Sequence, residues 1–240
     1  MNARMLLCIV AVARGLGAQG AAIPPLFRTE PAVTSGEAVG LGLTTLAAVA
    51  VIPIDQRIAV WMRDSAQHRH PSLDRVFTGG RLFGSPGSIV LGAALWAGGG
   101  LAQDNAMAND GVRSLEAVAA ASVVTILVKR IVGRARPSAS NSEARNFSFG
   151  RGFGGGASYQ SFPSGHATAA FAFASAVTAR VSNRSSLHAS WLGPLLYSAA
   201  TLTGVSRMYD GSHWFSDVVM GAGIGTVTGL LLVRHIDHRP

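Results

Sequence analysis

Ser206-Arg207-Met208-Tyr209-Asp210-Gly211-Ser212-His213-Trp214-Phe215-Ser216-Asp217 is the stretch on which the reading of this chain turns. It separates an uncharged run at 185–206 from an apolar run at 218–233, so it reads as a polar corner between two apolar helices. It sets His213 four residues before Asp217. If a helix begins near His213, the two side chains stand on one face, one turn apart. An aspartate so placed accepts the Nδ1 proton of the imidazole, holds one tautomer and leaves Nε2 free as nucleophile or base. Arg207, on a loop rich in turn formers, brings a planar cation suited to phosphate oxygens. His-x-x-x-Asp is also common on ordinary helix surfaces, so the rest of the chain has to decide.

The corner belongs to a pattern of six apolar stretches, at 38–54, 82–103, 114–132, 164–180, 185–206 and 218–233. A bilayer core calls for about 17–25 apolar residues per helix, and several stretches sit at the lower limit. Many are rich in Ala, Gly and Thr, as expected where membrane helices approach closely. Gly221, Gly225 and Gly229 extend the row begun by His213 and Asp217, a smooth ridge for a neighbouring helix. The expected fold is all-α: a six-helix transmembrane bundle with the active site at helix ends on one membrane face. The alternative is a soluble helical bundle with a buried core. Residues 55–85, with Ile58, Val60, Trp61 and Met62 among arginines, read either as an interfacial helix or as a solvated connector. His68 and His70 read as surface residues.

Composition agrees with apolar helices joined by polar connections. Of the 240 residues only 13% are charged while 48% are hydrophobic, and mean hydropathy is +0.32. The net charge of +8 invites a nucleic-acid reading, but the cations gather in loops, with no basic cluster interleaved with aromatics. No nucleic-acid partner is expected. Lys129 is the only lysine among 20 Lys and Arg residues. Residues 1–20 read as a signal peptide or N-terminal targeting segment, because Arg4 precedes an apolar run from Met5 to Ala13 and small residues follow. Residues 21–85 then form an N-terminal helix and connector, and 86–240 the core, together one domain. Cys8 is the only cysteine, and it lies in the targeting segment, so the mature chain is expected to hold no thiol, disulfide or cysteine metal site.

Two more polar segments sit at helix ends. Lys129-Arg130-Ile131-Val132-Gly133-Arg134-Ala135-Arg136-Pro137 closes the third helix, and Pro137 helps to end it. Cations there also serve helix C-termini or snorkel at a membrane edge. The Gly/Ser/Asn-rich residues 138–162 form a long loop of the kind that is either functional or disordered. It leads to Phe162-Pro163-Ser164-Gly165-His166, which opens the fourth helix. Ser164 and Gly165 present free backbone N–H groups at a helix N-terminus, an anion-binding geometry, and His166 stands where it can pass a proton. Alternation of six spans puts the end of the third helix, the start of the fourth, the end of the fifth and the start of the sixth on one side. Lys129, Arg136 and Arg207 then supply cations, Ser164 and Gly165 neutral donors, and His213, His166 and Asp217 a nucleophile, an acid and an orienting carboxylate.

Lys129-x6-Arg136-Pro137, Pro163-Ser164-Gly165-His166 and Ser206-Arg207-x5-His213-x3-Asp217 resemble, in full and in order, the three signature motifs of the type-2 phosphatidic acid phosphatase and vanadium haloperoxidase superfamily. The resemblance covers roughly residues 86–235, and the amino-terminal third adds little to it. It implies that His213 attacks phosphorus to give a phosphohistidine, with Asp217 orienting the ring. It implies that His166 protonates the leaving alkoxide and then activates water, and that Lys129, Arg136, Arg207, Ser164 and Gly165 hold the phosphoryl oxygens. No metal or other cofactor is implied; three cations would repel a zinc ion from the His/His/Asp set. The implied function is a membrane phosphatase acting on a lipid phosphate or diphosphate, of the phosphatidate, phosphatidylglycerol phosphate or undecaprenyl diphosphate type. The expected partners are that lipid and the bilayer, with a multi-pass location in the cell membrane and the site facing the periplasm or exterior. A secreted soluble acid phosphatase, a vanadate-dependent haloperoxidase and a non-catalytic membrane bundle are the competing readings.

Overall fold

In the computed structural model, which describes residues 33–63, 71–140 and 143–237, the chain folds around one helix of small residues. Seven α-helices are described: α1 (Ser35–Met62), α2 (Pro71–Gly80), α3 (Ser85–Leu101), α4 (Asn105–Val132), α5 (Gly165–Ser182), α6 (Ser186–Tyr209) and α7 (Phe215–Asp237). Ten of the 18 residues of α5 are buried, six of them alanines. Helices α3, α4, α6 and α7 pack around it, and α1 lies against α7. Small side chains are what this demands, since backbones must approach closely on several sides.

The glycine row on α7 is the clearest case. A Cβ on Gly221 would stand 2.6 Å from the Ser164 carbonyl oxygen, one on Gly225 2.3 Å from that of Thr168, and one on Gly229 2.1 Å from Ser175 Oγ. The expected ridge is therefore the surface on which α7 lies against α5. At the end away from Lys129, Asp110 of α4 binds Arg180 at 2.6 Å and also Arg184, and Glu37 of α1 binds Arg234 of α7 at 3.0 Å. These pairs tie α4 to the end of α5, and α1 to α7, at the end opposite the polar corner.

Each of the six apolar stretches forms a helix, and α2 is an addition from the connector. Together with a 3-10 turn at Arg81–Phe83, α2 meets α3 at a bend of 55°. Three boundaries differ from expectation. Helix α1 does not close at Asp55 but continues past Pro53 to Met62, because Asp55 is a fully buried ion-pair partner and not a solvated helix end. Helix α6 runs through Arg207 to Tyr209. Helix α7 begins at Phe215, not at His213, because the Asp217 carboxylate reaches back to accept the Trp214 N–H at 2.9 Å.

Among the described residues, α1 and residues 215–235 of α7 are long and apolar enough to cross a membrane, and the bent α2–α3 pair makes a third span if counted as one. Six were expected. The difference lies in composition: α4 carries Asp110, Arg113, Glu116, Lys129 and Arg130, while α5 and α6 mix their apolar residues with Ala, Ser, Thr and Gly. In α5 that mixture answers to packing inside the bundle. The targeting segment at 1–20, His68 and His70 lie outside the described residues.

Candidate active site

The site is assembled from four helix ends and one strapped loop. Helix α4 stops at Gly133, whose left-handed φ of 58° lets its N–H return to the Lys129 carbonyl at 3.1 Å. No side chain fits there, since a Cβ would lie 2.0 Å from the Ser148 carbonyl oxygen. The chain then runs extended through Arg134, Ala135 and Arg136. The Ala135 N–H donates to Asn146 O at 3.0 Å, that of Arg136 to Ser158 O at 2.9 Å, and the Ser161 N–H to Arg134 O at 3.0 Å. Arg134 is fully buried, whereas Arg136 is half-buried. These hydrogen bonds fasten described parts of the long loop to the segment after α4.

Lys129 Nζ donates to the carbonyls of Gln160 at 2.7 Å and Ser161 at 3.2 Å. A Cβ on Gly165 would stand 3.7 Å from Lys129 Cε, so the ammonium stem lies under the start of α5. Ser164 is the N-cap of α5, its Oγ facing the Ala167 N–H at 3.5 Å. Its own N–H is not free, as expected, but is held by the Asp217 carbonyl at 2.9 Å. That leaves Gly165 and His166 as first-turn donors. The His166 ring abuts Gly84, where an added Cβ would come within 2.7 Å of Cδ2.

From α6, Arg207 donates through Nη1 to Asp210 at 2.7 Å and through Nη2 to Ser212 Oγ at 2.8 Å. Its carbonyl accepts the N–H groups of Ser212 and His213, both at 3.1 Å, which fixes the corner ahead of α7. The Nε atoms of Arg136 and Arg207 are buried and have no hydrogen-bond partner. Buried guanidinium donors without acceptors are uncommon, and an incoming anion would satisfy them.

His213 is 3% exposed, and its Nδ1 lies 3.5 Å from Asp217 Oδ2. That is contact distance, longer than a hydrogen bond, and Nδ1 has no other partner. The Asp217 carboxylate is otherwise occupied: Oδ1 accepts from Arg134 Nη1 at 2.6 Å, and Oδ2 from Ser161 Oγ at 2.5 Å and Trp214 N. Hydrogen bonds of this kind are often long in empty sites and tighten when substrate binds. Burial, reinforced by Lys129 and Arg136 against the opposing pull of Asp217, holds the His213 imidazole down to about 3. Burial and the nearby Arg207, Lys129 and Arg136 hold His166 down to about 4. Burial and Arg207 likewise lower Arg136. Both imidazoles are thus neutral at pH 7.

Lys129, Arg136, Ser164, Gly165, His166, Arg207, His213 and Asp217 therefore lie close together. Sequence reasoning missed the layer behind them. Arg134 Nη2 binds Asp55 Oδ2 at 2.7 Å, and the backbone N–H of Ser216 donates to Asp55 Oδ1 at 2.8 Å, so α1 is tied directly to the corner. A signal for Asp55 existed: it is an acid far from the first turn of a mostly apolar helix, and a buried carboxylate needs a partner. Gly84 carried none. Among the described residues, no three His, Cys, Asp or Glu side chains gather closely enough to hold a metal ion.

These features describe a helical bundle that gathers two neutral histidines, a buried carboxylate and several cationic side chains at its helix ends. Residues 110–239 match the model of the PAP2 superfamily, and the chain belongs to that family. It is 39% identical over 88 residues to a lipid A 1-phosphatase of Porphyromonas gingivalis, covering 37% of this chain and 19% of the relative. It is 34% identical over 105 residues to a lipid A 1-phosphatase of Rhizobium etli, covering 44% of this chain and 41% of the relative. The chain thus spans less than half the length of either curated relative. Its fold matches the crystal structure of a transmembrane PAP2-type phosphatidylglycerolphosphate phosphatase from Bacillus subtilis with a TM-score of 0.64, at 24% identity, over 84% of this chain and 96% of the other.

Proposed function

We propose that this chain is a phosphatase that removes phosphate from a membrane lipid through a phosphohistidine on His213. The observation that carries this reading is the pair of unpartnered, buried Nε donors of Arg136 and Arg207 in the pocket shared with Lys129 and His213. Phosphoryl transfer asks chiefly for in-line positioning and for charge around the equatorial oxygens. Lys129, Arg136, Arg207 and the first-turn N–H groups of α5 supply that charge. The neutral His213 Nε2 attacks phosphorus as the bond to the lipid oxygen breaks, and His166 gives that oxygen its proton. His166 then takes a proton from water, whose oxygen attacks phosphorus, breaking the P–N bond and releasing inorganic phosphate. Asp217 stabilises the charge that develops on His213, and Arg134 holds Asp217 in place beforehand.

A lipid substrate is supported by the position of the pocket. Asp217 stands in the first turn of α7, a helix able to cross a membrane, so the phosphate would sit at headgroup level with its acyl chains beside the bundle. Phosphatidate, phosphatidylglycerol phosphate and undecaprenyl diphosphate follow from the family resemblance, and the two curated relatives add the 1-phosphate of lipid A. The outward-facing site implied by the resemblance is tested by turnover of added substrate on intact cells.

The deciding experiment measures phosphate release by purified protein in EDTA from these four lipids and from p-nitrophenyl phosphate, with a His213→Ala control. Turnover of one or more lipids that His213→Ala abolishes is expected. Turnover of the soluble ester alone would favour the soluble phosphatase. Undiminished release by His213→Ala would remove the nucleophile assignment.

A further inference from the structure

The turn after α4 carries two phenylalanines that the described chain leaves uncovered: Phe149 is 80% exposed and Phe153 67%. Their backbone is firmly seated. The Gly150 N–H donates to the Ile131 carbonyl at 2.7 Å, and a Cβ on Gly152 would lie 2.4 Å from the Lys129 carbonyl oxygen. The 3-10 turn Arg151–Phe153 therefore rests on the last turn of α4. The two rings continue an apolar flank of that helix, where Val123, Val124, Leu127 and Ile131 are exposed. Cations border them. Arg130 Cζ lies 6.0 Å from the Phe153 ring centre, Arg151 Cζ 3.9 Å from that of Tyr159, and Arg145 is exposed against the single acid Glu143.

An apolar flank that ends in aromatic rings with arginines beside them has the composition of a membrane–water boundary. The excess of arginine gives that boundary a sign, since basic residues near a bilayer are drawn to anionic headgroups. We propose that this surface docks on an anionic lipid leaflet, with Phe149 and Phe153 in the headgroup–acyl boundary and Arg130 and Arg151 on headgroup phosphates. Because Arg130 adjoins Lys129, the contact holds the anion pocket level with the phosphates of its lipids. That last consequence rests on the phosphatase reading; the docking itself does not.

The test uses the full chain with Cys8 replaced by Ser, which leaves no other cysteine. Single Phe149→Cys, Phe153→Cys and, as an exposed control, Ser138→Cys variants are spin-labelled and reconstituted in phosphatidylglycerol or phosphatidylcholine nanodiscs. Oxygen and a water-soluble nickel chelate then report depth. In phosphatidylglycerol, labels at 149 and 153 are expected about 5–10 Å below the headgroups, more accessible to oxygen than to nickel, with the reverse at 138. Nickel access at 149 and 153 equal to that at 138 would overturn the docking. Adding Arg130→Gln and Arg151→Gln is expected to move both labels outward in phosphatidylglycerol and not in phosphatidylcholine. Unchanged depth in phosphatidylglycerol would overturn the anionic part. Buried labels in a protein that releases no phosphate would fail the phosphatase reading alone, and active protein with exposed labels would fail the docking alone.

Discussion

Arg134 Nη1 stands 2.6 Å from Asp217 Oδ1, with both side chains fully buried. The same guanidinium reaches Asp55 Oδ2 at 2.7 Å, Ser216 Oγ at 2.7 Å and the Ala144 carbonyl at 2.7 Å through Nη2, and lies between the rings of Phe147 and Trp214. One cation thus sits between two buried carboxylates that come from the two helices most able to cross a membrane. Arg134→Met leaves both carboxylates without it, and removing one partner of a buried pair costs about 3–5 kcal/mol. A lower unfolding temperature in detergent is expected, together with loss of turnover. Asp55→Asn does not touch Asp217, so it is expected to lower the unfolding temperature while keeping most of kcat. An unfolding temperature unchanged by Arg134→Met would show that the pair contributes nothing to stability.

Gly84 tests how tightly His166 is placed. A methyl group there must displace the imidazole, because its Cβ falls 2.7 Å from His166 Cδ2. Misplacing a catalytic group by about 1 Å can lower the rate about 10²-fold. Gly84→Ala is expected to reduce kcat on that scale, with little change in KM and a normal unfolding temperature. Wild-type kcat in this variant would mean that the position of His166 is not critical.

The difference between what was and was not legible in the sequence has a physical basis. Lys129, Arg136, Ser164, Gly165, His166, Arg207, His213 and Asp217 lie in three short segments, where spacing alone states a pattern. The glycine row on α7 was readable because a helix surface repeats locally. Arg134 meets Asp55 across 79 residues and Asp217 across 83, distances at which no local pattern survives. Ser164 shows a subtler limit: an N-cap is readable, but the capture of its N–H by the Asp217 carbonyl depends on how α7 leans on α5. The sequence placed the start of α7 only as near His213; its start at Phe215 goes with the Asp217 carboxylate accepting the Trp214 N–H as well as facing His213. For a related reason six stretches were expected to span where, among the described residues, two or three meet the length and hydropathy needed. Freedom from charge marks a stretch as buried, without distinguishing burial in lipid from burial among helices.

Lys129 has a local reason to be the one lysine in an arginine-rich chain. Its ammonium is held by the carbonyls of Gln160 and Ser161 beneath Gly165, a narrow place for three donors on a thin stem. A guanidinium is broader and planar, and to fit it would push against the segment that carries Ser161, which in turn bonds Asp217. Lys129→Gln removes one charge-assisted hydrogen bond to substrate, about 1.5–3 kcal/mol, or about tenfold to a hundredfold in kcat/KM. Lys129→Arg keeps the charge and is nevertheless expected to lose at least as much. Near-wild-type kcat/KM for Lys129→Arg would show that only the charge matters.

The two histidines make the pH dependence specific. Burial holds His213 down to about 3 and, with Arg207, Lys129 and Arg136, His166 down to about 4. In the unfolded chain both titrate near about 6.5. As pH falls below that value the unfolded chain takes up protons that the folded chain refuses, so stability declines between about pH 6.5 and 3. On the proposed mechanism His213 needs no further adjustment, since a nucleophile must be neutral. His166 would have to carry a proton to serve as the acid, and a bound phosphate dianion would favour this by offsetting the three cations that, with burial, depress it. Substrate binding would then load the proton that the next step consumes. Histidine-labelled protein should show, by NMR, a resonance absent from His166→Asn that titrates below about pH 5 when the pocket is empty and moves upward with inorganic phosphate. A His166 resonance that titrates near 6.5 and ignores phosphate would separate the cation ring from the acid and leave the proton to come from solvent.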